Sequence, residues 1–198
     1  MSDTKPYVKI VFIGDSGVGK SCIISQFSYG RTIEDATPTV GAAYYSKIVD
    51  LERCKIELRI WDTAGQETYH SLTPIYFRNS KIAFVVFDVT KRDSFDSVRN
   101  WIEQLREHTE KNIVIVIVGN KIDLDKERVI DFNEHSALAE ELGALAIETS
   151  ALTNSGIDRM MQIGLSRLLE MDPKFRFDVN SGKKEPETVL VHKKQWCC

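Results

Sequence analysis

Gly14-Asp15-Ser16-Gly17-Val18-Gly19-Lys20-Ser21 fits the pattern G-x-x-x-x-G-K-[ST], and the segments on either side decide how it folds. Before it, Tyr7–Ile13 is an apolar run with strand character that stops at Gly14. After it, Lys20–Tyr29 carries apolar residues at 23, 24 and 27, a helical spacing, and Gly30 closes it. A strand, a glycine-rich turn and a helix in that order form a loop that cradles phosphate. The glycines let the backbone curl. The N–H groups of Asp15, Ser16, Gly17, Val18, Gly19, Lys20, Ser21 and Cys22 can then turn toward anionic oxygens, aided by the positive end of the helix.

Outward from this loop the chain alternates apolar runs with amphipathic stretches. Ala42–Leu51 and residues 56–61 alternate as strands, and polar Glu52-Arg53 between them suggests a hairpin. Residues 82–89 and 113–118 are nearly continuous in Val, Ile and Phe, as expected of parallel strands covered on both faces. Residues 94–108 put Phe95, Val98, Trp101, Ile102 and Leu105 on one helical face. Residues 133–142, a short strand at 144–148 and residues 156–170 complete the series. This pattern predicts one doubly wound α/β domain with five main helices on both faces of a mostly parallel six-stranded sheet, the second strand antiparallel. The domain is expected to span residues 1–171. From Asp172 onward Pro173, Gly182, Pro186 and scattered lysines replace periodicity, so 172–198 is expected to be a flexible tail.

The chain has 198 residues and a net charge of −3, with 42% hydrophobic and 28% charged residues, an ordinary globular composition. The tail holds six basic and four acidic residues, so the body is acidic, which argues against a nucleic-acid binder. No apolar run is long enough to span a bilayer, and residues 1–6 offer no signal peptide. Four cysteines without an oxidising address argue against a disulfide scaffold.

Lys20 is placed to reach the β- and γ-phosphates of a nucleotide, and the Ser21 hydroxyl to ligate Mg²⁺. Trp61-Asp62-Thr63-Ala64-Gly65-Gln66-Glu67 follows an apolar strand, putting Asp62 at a carboxyl end where Mg²⁺ needs a carboxylate. Gly65 can bring a bare N–H to the γ-phosphate, and Gln66 is placed to orient a water. Asn120-Lys121-Ile122-Asp123 follows another strand. A carboxylate there can accept from guanine N1–H and its 2-amino group, a donor pair that adenine lacks. Glu148-Thr149-Ser150-Ala151 can offer the Ala151 N–H to guanine O6.

These four elements, in this order and spacing, resemble the small GTPases of the Ras superfamily across roughly residues 7–171. Cys197-Cys198 and Thr39-Val40-Gly41 resemble its Rab branch, the regulators of membrane traffic. Gly41-Ala42-Ala43, Tyr69-His70-Ser71-Leu72 and Asp131-Phe132 are similar to early-endosomal Rabs. The resemblance implies a GTP/GDP switch that hydrolyses GTP slowly, with Lys20 and Gln66 in catalysis and Mg²⁺ held by Ser21, Thr39 and Asp62. The nucleotide would lie along the phosphate loop, Thr39, Gly65, Asn120, Lys121, Asp123, Ser150 and Ala151. Residues 32–42 and 62–78 would be ordered with GTP and loosen after hydrolysis.

The resemblance further implies effectors bound through Tyr44, Trp61 and Tyr76, together with an exchange factor and a prenyl-binding dissociation inhibitor. An activating protein would supply the cationic charge missing in cis, worth ~10³–10⁵ in rate. A lipid anchor on Cys197 and Cys198 would hold a monomer on the cytoplasmic face of intracellular, endosomal membranes, with a cytosolic pool.

Thr32 departs from the pattern. Relatives carry an aromatic there whose ring packs across guanine, so either Ile33 substitutes or nucleotide leaves faster. Pro38 before Thr39 is unusual for Rabs. A non-cycling interaction module is the competing class, opposed by the intact Ser21, Thr39, Asp62 and Gln66. A P-loop ATPase or kinase is opposed by Asp123. Asp123, Asp125, Glu127 and Glu134 imitate a calcium loop, but Arg128 stands where the obligatory glycine belongs. The four histidines have no zinc spacing.

Overall fold

The computed structural model describes residues 7–31, 39, 41–51, 54–65, 73–110 and 112–172. Six strands, β1 (Tyr7–Ile13), β2 (Ala42–Leu51), β3 (Cys54–Thr63), β4 (Ile82–Asp88), β5 (Val114–Asn120) and β6 (Leu145–Thr149), form one sheet in the order β2-β3-β1-β4-β5-β6. Only the β2–β3 pair is antiparallel, and its closing partners Leu51 and Cys54 flank the hairpin expected at Glu52-Arg53. The order reverses beside β1, the switch point at which open α/β sheets bind ligands.

Strand periodicity builds the two cores. Val8, Ile10 and Phe12 of β1 face one way, with Ile82, Phe84 and Val86 of β4, against α1 (Lys20–Tyr29) and α6 (Ile157–Met171). Val11 and Ile13, with Val85, Phe87 and Ile117, face the other way. They pack against α2 (Thr73–Phe77), α4 (Val98–His108) and α5 (Phe132–Glu141). The edge strand β2 is one-sided: Tyr44, Ser46, Ile48 and Asp50 are exposed while alternate residues are half-buried.

Several elements differ from expectation, among them β3, which runs two residues further at each end than 56–61. The helix expected over 94–108 begins earlier, as α3 (Arg92–Asp96), and is interrupted at Ser97 before α4 resumes. There the Ser97 hydroxyl and the Ser97 backbone N–H both donate to the Asp93 carbonyl, at 2.9 and 3.0 Å. Counted across that break, the described residues hold the five main helices expected. Strand β5 runs two residues further than expected, because Gly119 and Asn120 pair in register with Glu148 and Thr149.

His135 sits in the core between α5 and the sheet, fully buried, with edge-on contacts to Phe87 and Phe132 at 5.0 and 5.8 Å. Its Nε2 lies 3.1 Å from the Ile117 carbonyl, which fixes the tautomer with the proton on Nε2. Burial holds the imidazole below its ordinary 6.5 even though the Ile117 carbonyl opposes this. The unfolded chain therefore takes up a proton at a higher pH than the fold does. The stability that neutral His135 supplies is complete above its ordinary value and lost as pH falls through the depressed one. Urea unfolding at about pH 7.5 and 5.5 should show a steeper loss for the wild type than for His135→Gln, which cannot titrate. Equal losses would remove His135 from the acid response.

Candidate functional site

Gly19, which ends the phosphate loop, enters α1 with φ +100°, and a Cβ there would lie 2.3 Å from Asn120 Nδ2. Only glycine satisfies both the left-handed backbone and the approach. The next residue, Lys20, is 6% exposed, and its ammonium donates to the carbonyls of Gly14 and Asp15 at 2.7 Å each. Burial lowers its pKa to about 8, against the opposing pull of the Asp62 and Asp15 carboxylates. A buried lysine whose partners are mainly loop carbonyls is a cation placed to meet an anion.

Ser21, Thr39 and Asp62 converge from three separate segments. The Ser21 hydroxyl donates to Asp62 Oδ2 at 2.6 Å and lies 3.0 Å from the Thr39 hydroxyl, which is itself 3.4 Å from the same carboxylate oxygen. Asp62 is 1% exposed. One carboxylate with two hydroxyls is a hard-oxygen set of the kind Mg²⁺ takes alongside phosphate oxygens and waters. Sets of three or more His, Cys, Asp or Glu that could hold a metal are absent among the described residues, so the resident-metal reading depends on these hydroxyls.

Gly65 backs directly onto the loop. A Cβ there would lie 2.4 Å from the Asp15 carbonyl carbon and 2.5 Å from the Gly14 oxygen. Gln66 lies outside the described residues, as do Thr32, Ile33, Cys197 and Cys198.

Asn120 does more than its place in the motif suggested. Its Nδ2 donates to the Val18 carbonyl at 2.8 Å, while its Oδ1 accepts from the Thr149 hydroxyl at 3.1 Å and the Ala151 N–H at 3.3 Å. It ties the phosphate loop to the ends of β5 and β6. The Ala151 N–H, expected to await a base oxygen, is thus directed to Asn120. Lys121 adopts a left-handed φ of 69°, and its ammonium pairs with Asp88 Oδ2 at 2.6 Å. Burial pushes the Asp88 carboxyl up, but hydrogen bonds from Lys121 and Thr90 outweigh it and hold the group below its ordinary range. Asp88 was not singled out from sequence. The available signal was a lone carboxylate ending an all-apolar strand, in register with Asn120.

Asp123 is exposed and accepts from the Ser150 hydroxyl, which in turn accepts from the Thr153 N–H at 3.1 Å. Cys22 is half-buried against the core, and burial raises its thiol pKa. Apart from this chemistry, Tyr44, Trp61 and Tyr76 do meet. Tyr44 and Trp61 have ring centroids 5.3 Å apart, and Trp61 and Tyr76 5.4 Å, with Tyr44 exposed.

A phosphate loop at the switch point, a buried lysine within it and a hydroxyl–carboxylate cluster beside it define a P-loop nucleotide-binding protein. The sequence profile of the Ras family matches residues 9–170. The chain is 38% identical over 192 residues to the Ras-related protein Rab-31 of Homo sapiens, covering 96% of this chain and 97% of that one. To the Rattus norvegicus Rab-31 it is 41% identical over the same shares, and to the Mus musculus Rab-31 41% over 160 residues, 81% and 82% of the two chains. The chain belongs to the Ras family, in its Rab branch. It is a GTP-binding switch that hydrolyses GTP and regulates vesicle traffic.

One substitution tests the packing on which the loop depends. Gly65→Ala should leave the circular-dichroism spectrum unchanged but weaken GTP binding about tenfold or more. Its methyl meets backbone rather than a movable side chain, and displacing the loop by even a fraction of an ångström spoils several charge-assisted hydrogen bonds at once. Wild-type affinity in this variant would show that the loop yields freely.

Proposed function

We propose that this chain carries its nucleotide along the phosphate loop, with Asp15 to Cys22 turning N–H groups to the phosphates and Lys20 meeting the β- and γ-oxygens. The observation carrying this reading is the convergence of Ser21, Thr39 and Asp62 beside the buried Lys20. Those three residues would hold Mg²⁺, which when bound neutralises charge shared between the β- and γ-phosphates. Thr39 and Gly65 face the γ-phosphate and sense its loss. Gln66 orients the attacking water. Asp123, oriented by Ser150, reads guanine, and Asn120 and Lys121 hold that reader against the loop. Ala151 serves the base by sharing its N–H between Asn120 and guanine O6.

The aromatic cluster of Tyr44, Trp61 and Tyr76 is the effector surface, since clustered, partly exposed rings favour interfaces. Residues 1–171 form the working domain and 172–198 a spacer. Adjacent Cys197 and Cys198 take two lipid chains, because one chain gives only marginal membrane binding and the basic charge of the tail is slight. No described helix is long and apolar enough to cross a membrane, so attachment to endosomal membranes falls to the lipids. Its regulators are an exchange factor, an activating protein and a prenyl-binding dissociation inhibitor.

Gentle purification followed by nucleotide chromatography of the denatured protein tests the core of this reading. Stoichiometric GDP or GTP is expected, and adenine nucleotide would overturn it. Changing both Cys197 and Cys198 to serine should release the protein from membranes on fractionation, with GDP affinity unaltered.

A further inference from the structure

Asp15 places a carboxylate inside a loop built for anions. Its main chain belongs to the site: its carbonyl accepts from Lys20 at 2.7 Å, and Gly65 packs against its carbonyl carbon. Its side chain bonds elsewhere. Oδ1 accepts a 2.7 Å hydrogen bond from the indole Nε1–H of Trp101, eighty-six residues further along the chain.

That donor is fixed independently of Asp15. Trp101 is 5% exposed and packed with Val98, Ile102 and Leu105 of α4 in the core on that side of the sheet. Its backbone N–H bonds the Ser97 carbonyl at 3.1 Å, where α4 begins. The indole is therefore a rigid post, and the short carboxylate is what moves to meet it.

We infer that Trp101 is a positioning residue that parks the Asp15 carboxylate outside the anion site and so prolongs nucleotide retention. An unparked carboxylate rotates back toward the ammonium of Lys20, whose bond to the Asp15 carbonyl already holds it next to that residue. There it competes with phosphate for the same cation and adds negative charge where the ligand is most negative. The same indole gives α4 a direct mechanical link to the phosphate loop.

This rests on the nucleotide-binding reading, so the full chain must first hold a fluorescent GDP analogue. If it does not, that reading fails before this one is tested. GDP release is then timed by displacement in four proteins: wild type, Trp101→Phe, Asp15→Asn and the double variant. Trp101→Phe keeps an aromatic ring but removes the donor, and in the wild-type background it should speed release about tenfold, the worth of one hydrogen bond to a charged group. In the Asp15→Asn background, where no charge remains to be parked, the same change should alter release by less than about twofold. A merely structural Trp101 would accelerate release equally in both backgrounds, and that result overturns the proposal. So does an unchanged rate in Trp101→Phe alone. Should phenylalanine leave the core too loose to fold, benzothienylalanine inserted at position 101 keeps the bicyclic shape without the N–H and carries the same two expectations.

Discussion

Lys20→Met is expected to abolish tight nucleotide binding and, at the same time, to stabilise the nucleotide-free protein. The two effects have one cause. An ammonium that is 6% exposed, with a pKa lowered from 10.5 to about 8, is held in its charged form at neutral pH against the cost of burial. The sign follows from linkage. A group whose folded pKa is depressed supplies its full stability only above its unfolded value, and loses it as pH falls through the folded one. At pH 7 the charged lysine therefore costs the empty fold about 3 kcal/mol, and methionine, of similar shape, removes that cost. Phosphate turns the same cost into affinity, since removing one partner of a buried ion pair forfeits about 3–5 kcal/mol, or roughly 10²–10⁴ in affinity. Urea unfolding after nucleotide is stripped with a chelator should place the Lys20→Met midpoint above that of the wild type. Calorimetry with GDP should detect little binding. A stripped variant less stable than stripped wild type would mean that the bonds to Gly14 and Asp15 outweigh desolvation.

The phosphate loop, Asp62 and the Asn120–Asp123 segment could be read from sequence because their chemistry is local. The motif fixes the backbone curl, and strand ends deliver the side chains to one edge of the sheet. Two-residue periodicity likewise exposed the two cores. What escaped were contacts made between distant segments. Nothing in the neighbourhood of Asp15 points to an indole in α4, because the partner is chosen by how that helix lies on the sheet. Asn120 bonds Val18, Thr149 and Ala151, partners that no local pattern joins to it; they meet because β5 extends far enough to bring it beneath Val18. The break at Ser97 is different again. The apolar spacing of 94–108 is unbroken, and the bond of the Ser97 hydroxyl to the Asp93 carbonyl has no signature in that spacing. Asp88 was hidden in plain view, since the apolar strand run 82–89 contained it without showing that its carboxylate is the counter-ion of Lys121.

Asp123→Asn is expected to move the protein from guanine toward xanthine nucleotides. On the proposed reading, a carboxylate at 123 offers acceptors that guanine would meet with two donors, N1–H and the 2-amino group. Adenine leaves that carboxylate facing no such pair, and a site built around hydrogen bonds rejects a ligand that breaks them by roughly 10⁴–10⁵. Asparagine keeps the size of the side chain and the oxygen that accepts from Ser150, while its amide presents a donor in place of one acceptor. Xanthine carries an oxygen where guanine carries the 2-amino group, so the new donor finds its partner there. Ser150 makes the reading specific to this structure. Its hydroxyl fixes the rotamer of residue 123 and is itself held by the Thr153 N–H. Ser150→Ala should accordingly weaken GDP about tenfold without changing the order of preference, as loss of one hydrogen bond to a charged group does. Competition of GTP, XTP and ATP against a fluorescent GDP analogue measures all of this, with the XDP analogue as probe for the asparagine variant. Equal GTP and ATP affinity in the wild type would remove Asp123 as the reader of the base, and an asparagine variant that still prefers GTP over XTP would mean that a group other than residue 123 reads the 2-position.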